Sequence, residues 1–185
     1  MYYGYVPPPY NTPYNPYNMY TGYSPCPCPY WPCEPMYKWG TSHTPIPLKD
    51  YGPQPYVVDI EEATEQNNTF RTALWTGTHL QLTLMSIPAG QDVGLEVHPE
   101  LDQFIRIEEG QGLTQMGDTK ETLDFQKNVY ADDAIFIPAG KWHNLINTGY
   151  QPLKLYSIYA PPEHPWGTVH KTKADAEEAK KHHRH

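Results

Sequence analysis

In the stretch LEVHPELDQF, Glu96 and His98 stand two residues apart, so on an extended strand they share one face. The segment PELD then reverses the chain, which predicts residues 98 and 103 as opposite partners with Cβ atoms about 5 Å apart. Glu96, His98 and Gln103 thereby point into one small volume. A carboxylate, an imidazole and an amide oxygen gathered in this way suit a divalent transition metal. The same groups can instead satisfy one another and bound water by hydrogen bonding. A register that uses Glu100 in place of Glu96 is disfavoured, because Glu100 lies inside the turn and faces solvent.

Other residues capable of chemistry are scattered. His143 sits on a later strand, beside a Trp142 that alternation turns outward. His79 and Tyr156 fall on predicted strands and are candidates to line a cavity. Arg106 has the opposite parity to Gln103 and should point out toward a partner or an acidic neighbour. His164 and His170 occupy a Pro/Gly-rich stretch that either covers a barrel mouth or packs on it. Cys26, Cys28 and Cys33 lie in CPCPYWPC. Three thiols cannot close an intramolecular disulfide framework, and they lack the fourth ligand of a structural zinc site. Cross-linking between chains, or an idle thiol cluster, is the reading they leave. His182, His183 and His185 form a tail best read as solvated.

The elements that must position these groups begin near residue 57. Asp59, followed three residues later by Glu62, has the form of a capping box for a helix over 60–66. Beyond Phe70 the sequence turns alternating and β-branched. In THLQLTLMSI, Leu80, Leu82 and Leu84 share one side, and His79, Gln81 and Thr83 the other. Further strands are predicted over 93–98, 103–108, 111–116, 134–137, 143–147 and 153–159, separated by PAG, EEGQG, PAG and NTG turns. Many short strands at even spacing predict an all-β sandwich or barrel. Thr172 caps a short helix over KADAEEAKK.

Residues 1–56 are a different polymer. They contain 14 of the 21 Pro, 12 of the 16 Tyr and all 3 Cys. With few aliphatic side chains and no period, they cannot build a core, so an extended, disordered arm is expected. Deleting residues 1–50 is expected to leave the barrel's stability unchanged. The chain's net charge of −8 is concentrated in residues 57–170, where 16 acids face 6 bases. Such a surface repels phosphate backbones, so nucleic acid is excluded as a partner. No apolar run suits a membrane span and the N-terminus lacks a secretory pattern, so a cytoplasmic location is expected.

Two stretches carry a family resemblance. GQDVGLEVHPELDQFIRIEEG resembles the first cupin motif, G-x5-H-x-H-x4-E-x6-G, with Gly90, His98 and Gly110 in register. Glu96 and Gln103 occupy the positions where that motif has His and Glu. DDAIFIPAGKWHNLIN resembles the second motif, G-x5-P-x-G-x2-H-x3-N, through Pro138, Gly140, His143 and Asn147, with Asp132 in place of the first Gly. The resemblance spans roughly residues 70–160. It implies a cupin (jelly-roll-like) β-barrel over 57–170, between the arm and a helix with a His-rich tail at 171–185.

It also implies a divalent metal (Fe, Mn, Ni or Zn) held by Glu96, His98, Gln103 and His143. The family's three His and one Glu carry one negative charge, and so does this set. The carboxylate has moved and the total is unchanged.

The chain further resembles small bacterial single-domain cupins labelled mannose-6-phosphate isomerase-like, a likeness of fold. The functions this implies are isomerase- or oxygenase-type chemistry on a small polar metabolite, or binding of such a ligand, in a homodimer. The arm resembles, in composition only, Tyr/Pro-rich tails of assembled layers such as bacterial spore coats. That resemblance supports an alternative role as an assembly protein.

Overall fold

The computed structural model describes residues 44–182, with only the backbone of His182. Most of the expected arm, including Cys26, Cys28 and Cys33, lies outside the described residues, as do His183 and His185.

The first element is the helix α1 (Ile60–Gln66), which starts where Asp59 Oδ1 accepts from the Glu62 amide at 3.1 Å. Strands β1 (Arg71–Thr76), β2 (Gln81–Ile87), β3 (Glu96–Val97), β4 (Asp102–Glu109) and β5 (Gln111–Gly117) follow. They continue as β6 (Phe125–Tyr130), β7 (Ala134–Ile137), β8 (Trp142–Asn147), β9 (Leu153–Ala160) and β10 (Val169–His170). The last element is the helix α2 (Lys173–His182). Thr172 and Asp175 cap it reciprocally, each accepting from the other's backbone amide, as the sequence predicts.

Two antiparallel sheets face one another. One has the order β10-β1-β2-β9-β4-β7 and the other β3-β8-β5-β6. Inward side chains fill the space between them, among them Met85, Ile87, Ile105, Ile107, Leu145 and Leu155. Along β9 the odd positions 153, 155, 157 and 159 are all buried, as a period of two requires. This is the expected all-β, jelly-roll-like barrel.

A second apolar layer lies outside the larger sheet. On β2 the leucine side, Leu82 and Leu84, meets α1 and the 44–60 segment rather than the barrel interior. Gln81 and Thr83 are the ones that point inward, fully buried. Both faces of β2 are therefore covered.

Four expectations change. The strand predicted over 93–98 shrinks to Glu96–Val97. It pairs with β8 while β4 belongs to the other sheet, so PELD is a corner between sheets and not a hairpin. Residues 98 and 103 are thus carried by elements of opposite sheets and are not cross-strand partners. Strand β6 was not legible, because only Val129 of its six residues is buried and no alternation survives at an edge.

Residues 44–56, assigned by composition to the arm, pack on the domain. Ile46, Leu48, Tyr51 and Tyr56 join the outer layer. Asp50 accepts from Thr76 N at 2.9 Å, Thr76 Oγ1 at 2.6 Å, Gly167 N at 2.9 Å and Gly52 N at 3.0 Å. A Cβ at Gly52 would lie 2.0 Å from the Thr76 carbonyl oxygen, so the segment runs against β1 with no room for a side chain. Deletion through residue 50 would remove these contacts.

Asp132 explains one departure from the second motif. Its φ is 73°, in the left-handed region where the motif's Gly is at ease and where Asp is tolerated better than most residues. Its carboxylate is used as well, accepting from Arg106 Nη2 at 2.7 Å. Arg106 also donates to Glu108 at 3.1 Å, the outward acidic pairing expected of it.

Candidate metal centre

Glu96 on β3 and His143 on β8 are directly paired in register, and His98 follows one residue after β3. One ligand-capable atom from each of Glu96, His98 and His143 falls within 4.8 Å of the others, and all three residues are buried. His98 Nε2 lies 3.6 Å and His143 Nε2 3.8 Å from the same Glu96 Oε1. These separations exceed hydrogen-bond range.

The outer face of each imidazole is occupied. His143 Nδ1 lies 2.9 Å from the Lys141 carbonyl oxygen, which fixes the proton on Nδ1. His98 Nδ1 lies 3.4 Å from Glu163 Oε1. Both rings are thus oriented with Nε2 turned inward, the arrangement by which a second set of groups aims a metal-binding histidine.

Gln103 enters from the opposite sheet. Its Nε2 donates to Ser157 Oγ at 2.9 Å, which turns the amide and leaves Oε1 free. Its register partner on β9 is Tyr159, whose ring meets His98 edge-on at 5.7 Å.

Glu96 Oε1, His98 Nε2, Gln103 Oε1 and His143 Nε2 are all sealed from solvent, and none has a hydrogen-bond partner. Buried polar atoms are rarely left unsatisfied, because each costs on the order of 1–3 kcal/mol. The three that converge, two imidazoles and one carboxylate, are what a divalent cation would satisfy, and Gln103 Oε1 is a further unpartnered oxygen on the inward face of the other sheet. The Glu96, His98 and His143 donors therefore fit a metal.

The electrostatics favour a charged carboxylate. Burial pushes the Glu96 acid upward, but the facing His143 and His98, then Arg71 and Lys180, hold it well below the usual carboxylate range. Lys180, from α2, makes an ion pair with Glu96 Oε2, leaving Oε1 for the centre. At His98 burial opposes the charged form and is outweighed by Glu163 and Glu96, which push the imidazole up to about 9. To hold a metal, His98 would present Nε2 unprotonated while keeping the Nδ1 proton toward Glu163.

The comparisons with known proteins agree with this geometry. A family model described as a cupin domain matches residues 83–159. The chain is 69% identical over 129 residues, 70% of its length and 69% of the relative's, to the uncharacterized protein YrkC of Bacillus subtilis (strain 168). The chain belongs to the cupin superfamily. This cupin is also 42% identical over 118 residues, 63% of its own length and 71% of the relative's, to the uncharacterized protein L612 of Acanthamoeba polyphaga mimivirus. Among solved structures it resembles a Bacillus halodurans protein, with 63% identity, a TM-score of 0.70, and coverage of 71% of this chain and 99% of that one. A Klebsiella pneumoniae protein with a double-stranded β-helix domain shares the fold at 17% identity and a TM-score of 0.50, over 63% of this chain and 98% of that one.

Two expected cavity residues lie elsewhere. His79 is exposed in the turn between β1 and β2. Tyr156 lies on the outer face of β9, against the α1 layer and 6.2 Å from Phe104. Trp142 is half-buried beside the inward His143. The residues that sequence reasoning missed are Ser157 and Tyr159, which the parity of β9 could have found, and Glu163, Arg71 and Lys180, which no local pattern marks. Among the described residues no helix is long and apolar enough to cross a membrane.

Proposed function

We propose that this protein is a metal-dependent cupin that acts on a small polar metabolite, with Glu96, His98, Gln103 and His143 holding one divalent transition metal. The observation that carries the reading is the coincidence of four solvent-sealed, unpartnered donor atoms on those four residues. When bound, such an ion supplies Lewis-acid polarisation of a carbonyl or enediol, or redox chemistry with dioxygen, the isomerase- and oxygenase-type alternatives.

The chain's own residues supply access and proton control. A cleft of about 390 Å³, bordered by His98, Pro99, Leu101, Pro161 and Glu163, reaches the His98 edge of the centre. Glu163 stands at its lip, its side chain 33% exposed, and holds the proton on His98 Nδ1. It is a positioning residue for that ligand and is open enough to exchange protons with solvent. Tyr159, sealed in the interior, walls the site opposite the cleft.

Elemental analysis of the protein as isolated tests the reading. The expected result is close to one transition metal per chain, lost on replacing His98 and His143 with Ala. Absence of metal from both isolated and reconstituted protein rejects it. An untargeted search for small molecules that co-purify narrows the substrate.

A second reading, an assembly protein in a layer such as a spore coat, is favoured by the Tyr, Pro and Cys content of residues 1–56. It is tested by removing residues 1–43 and measuring self-association. The homodimer and the cytoplasmic setting are expectations of the same kind, read by sedimentation and by fractionation.

A further inference from the structure

A second cavity, of about 160 Å³ and largely apolar in its lining surface but edged by charged and imidazole groups, lies between β1, β10, α2 and the 163–168 loop. Its walls include Arg71, Glu163, His164, Thr168, His170 and Lys180. Arg71 decides its character. The residue is 1% exposed and its guanidinium is permanently charged. Yet its Nε has no hydrogen-bond partner, and Nη2 reaches only the Met85 sulfur at 3.9 Å. Its nearest ring contact is Phe70, 5.5 Å from the centroid. Among the described residues no carboxylate forms an ion pair with it.

A buried guanidinium with an unpartnered Nε, balanced only at longer range by Glu96, is undersatisfied, so the site favours an anion. Glu96 cannot serve, because one oxygen pairs with Lys180 and the other faces the histidines. Glu163 is directed at His98. The remaining polar groups on the cavity add to the demand. His164 Nε2 and His170 Nδ1 are both sealed and unpartnered, and Lys180, whose charge is shared with Glu96, also borders the cavity.

We propose that Arg71, His164, His170 and Lys180 form a receptor for a small oxoanion, the carboxylate or phosphate group of a compact metabolite. The volume holds about five waters at roughly 30 Å³ each, which admits an anion of five to seven non-hydrogen atoms. The cavity and the metal centre share two side chains, Lys180 and Glu163. The anion is therefore the anchoring group of the substrate handled at that centre. This last assignment rests on the proposed function; the receptor itself does not.

The test uses the full chain, as isolated and after chelation, with acetate, malonate and inorganic phosphate as probes. Acetamide serves as the uncharged isostere of acetate, and chloride matches the ionic strength. At least one anion should raise the unfolding midpoint and give a calorimetric Kd in both preparations, and acetamide should do neither. The contrast between phosphate and the carboxylates tells which oxoanion the receptor takes. Arg71→Met should weaken binding about tenfold or more, the loss of one charge-assisted contact. If Arg71→Met does not fold, His170→Phe carries the same expectation.

The His98→Ala/His143→Ala variant should keep the anion response while losing metal. Failure of the metal reading alone would therefore leave that response intact. The receptor is overturned if no probe exceeds chloride, or if the soluble cavity variant binds like wild type. It is also overturned if the response vanishes on chelation, which makes the anion only a ligand of the ion.

Discussion

His164 makes the metal-free protein sensitive to acid. Gln81 grips its backbone on both sides, accepting from the amide at 2.9 Å and donating to the carbonyl at 2.9 Å. The ring is thereby set edge-on to Tyr159 at 5.2 Å, with Nε2 sealed and unpartnered. Burial, followed by the nearby Arg71 charge, pushes the imidazole down to about 2. In the unfolded chain it titrates near 6.5. Between these values the unfolded state binds a proton that the folded state refuses, so stability falls as pH drops below about 6.5. The loss is about 2 kcal/mol at pH 5 and about 3 kcal/mol at pH 4, against a total of roughly 5–15 kcal/mol. His164→Phe keeps the ring packing and removes the titration. Urea unfolding of chelated protein in buffers free of oxoanions should give a gap between variant and wild type that widens by about 1–2 kcal/mol from pH 6.5 to pH 5. His170, also pushed down by burial and then by Arg71, slopes the same way in both proteins and cancels in the difference. Parallel curves over that interval would refute the sealed, neutral imidazole.

Two further predictions concern the frame around the site. Asp50→Ala removes the acceptor of four hydrogen bonds, three of which join the 44–56 segment to β1 and to the 163–168 loop. It should cost about 3–5 kcal/mol in denaturant unfolding, because buried amides lose a charged partner. By the same contacts, truncation before residue 44 should leave the midpoint in place and truncation through residue 56 should lower it. Asp132→Gly suits a φ of 73° and should lose only the exposed Arg106 pair, staying within about 1 kcal/mol of wild type. Asp132→Ala adds left-handed strain to that loss and should be about 1–2 kcal/mol worse than the Gly variant by thermal unfolding.

The fold was legible where burial is one-sided. Strand β7 is recovered at its predicted bounds because Ile135 and Ile137 alternate with the exposed Ala134 and Phe136, a pattern that only a half-buried strand needs. Both helices were legible because their caps are local chemistry at Asp59 and Thr172. The start of the domain was not. Composition averaged over residues 1–56 hides Ile46, Leu48 and Asp50, few in number, whose partners Leu74 and Thr76 lie some 26 positions away. A buried aspartate in a Pro-rich segment has no local signature, because its acceptors' donors are assembled only by the fold.

The centre was legible for a different reason, and its surroundings were not. Glu96, His98 and His143 could be named because motif spacing fixes them relative to turns, even though the geometry first imagined for residues 98 and 103 was a hairpin and is in fact a corner between sheets. Spacing tolerates that error, since either path brings the side chains inward. What spacing cannot reach is the second ring of residues. Arg71 comes from the start of β1, Glu163 from the loop after β9 and Lys180 from the last turns of α2. None is near the motifs in sequence, and each reads alone as an ordinary surface charge. Their significance is a sum: Lys180 neutralises the outer oxygen of Glu96, Glu163 holds the outer nitrogen of His98, and Arg71 is left with an unpartnered Nε. A family motif thus marks where a metal would be held, while the polar atoms left unpartnered after the local pairs are made mark where the proposed anion would bind.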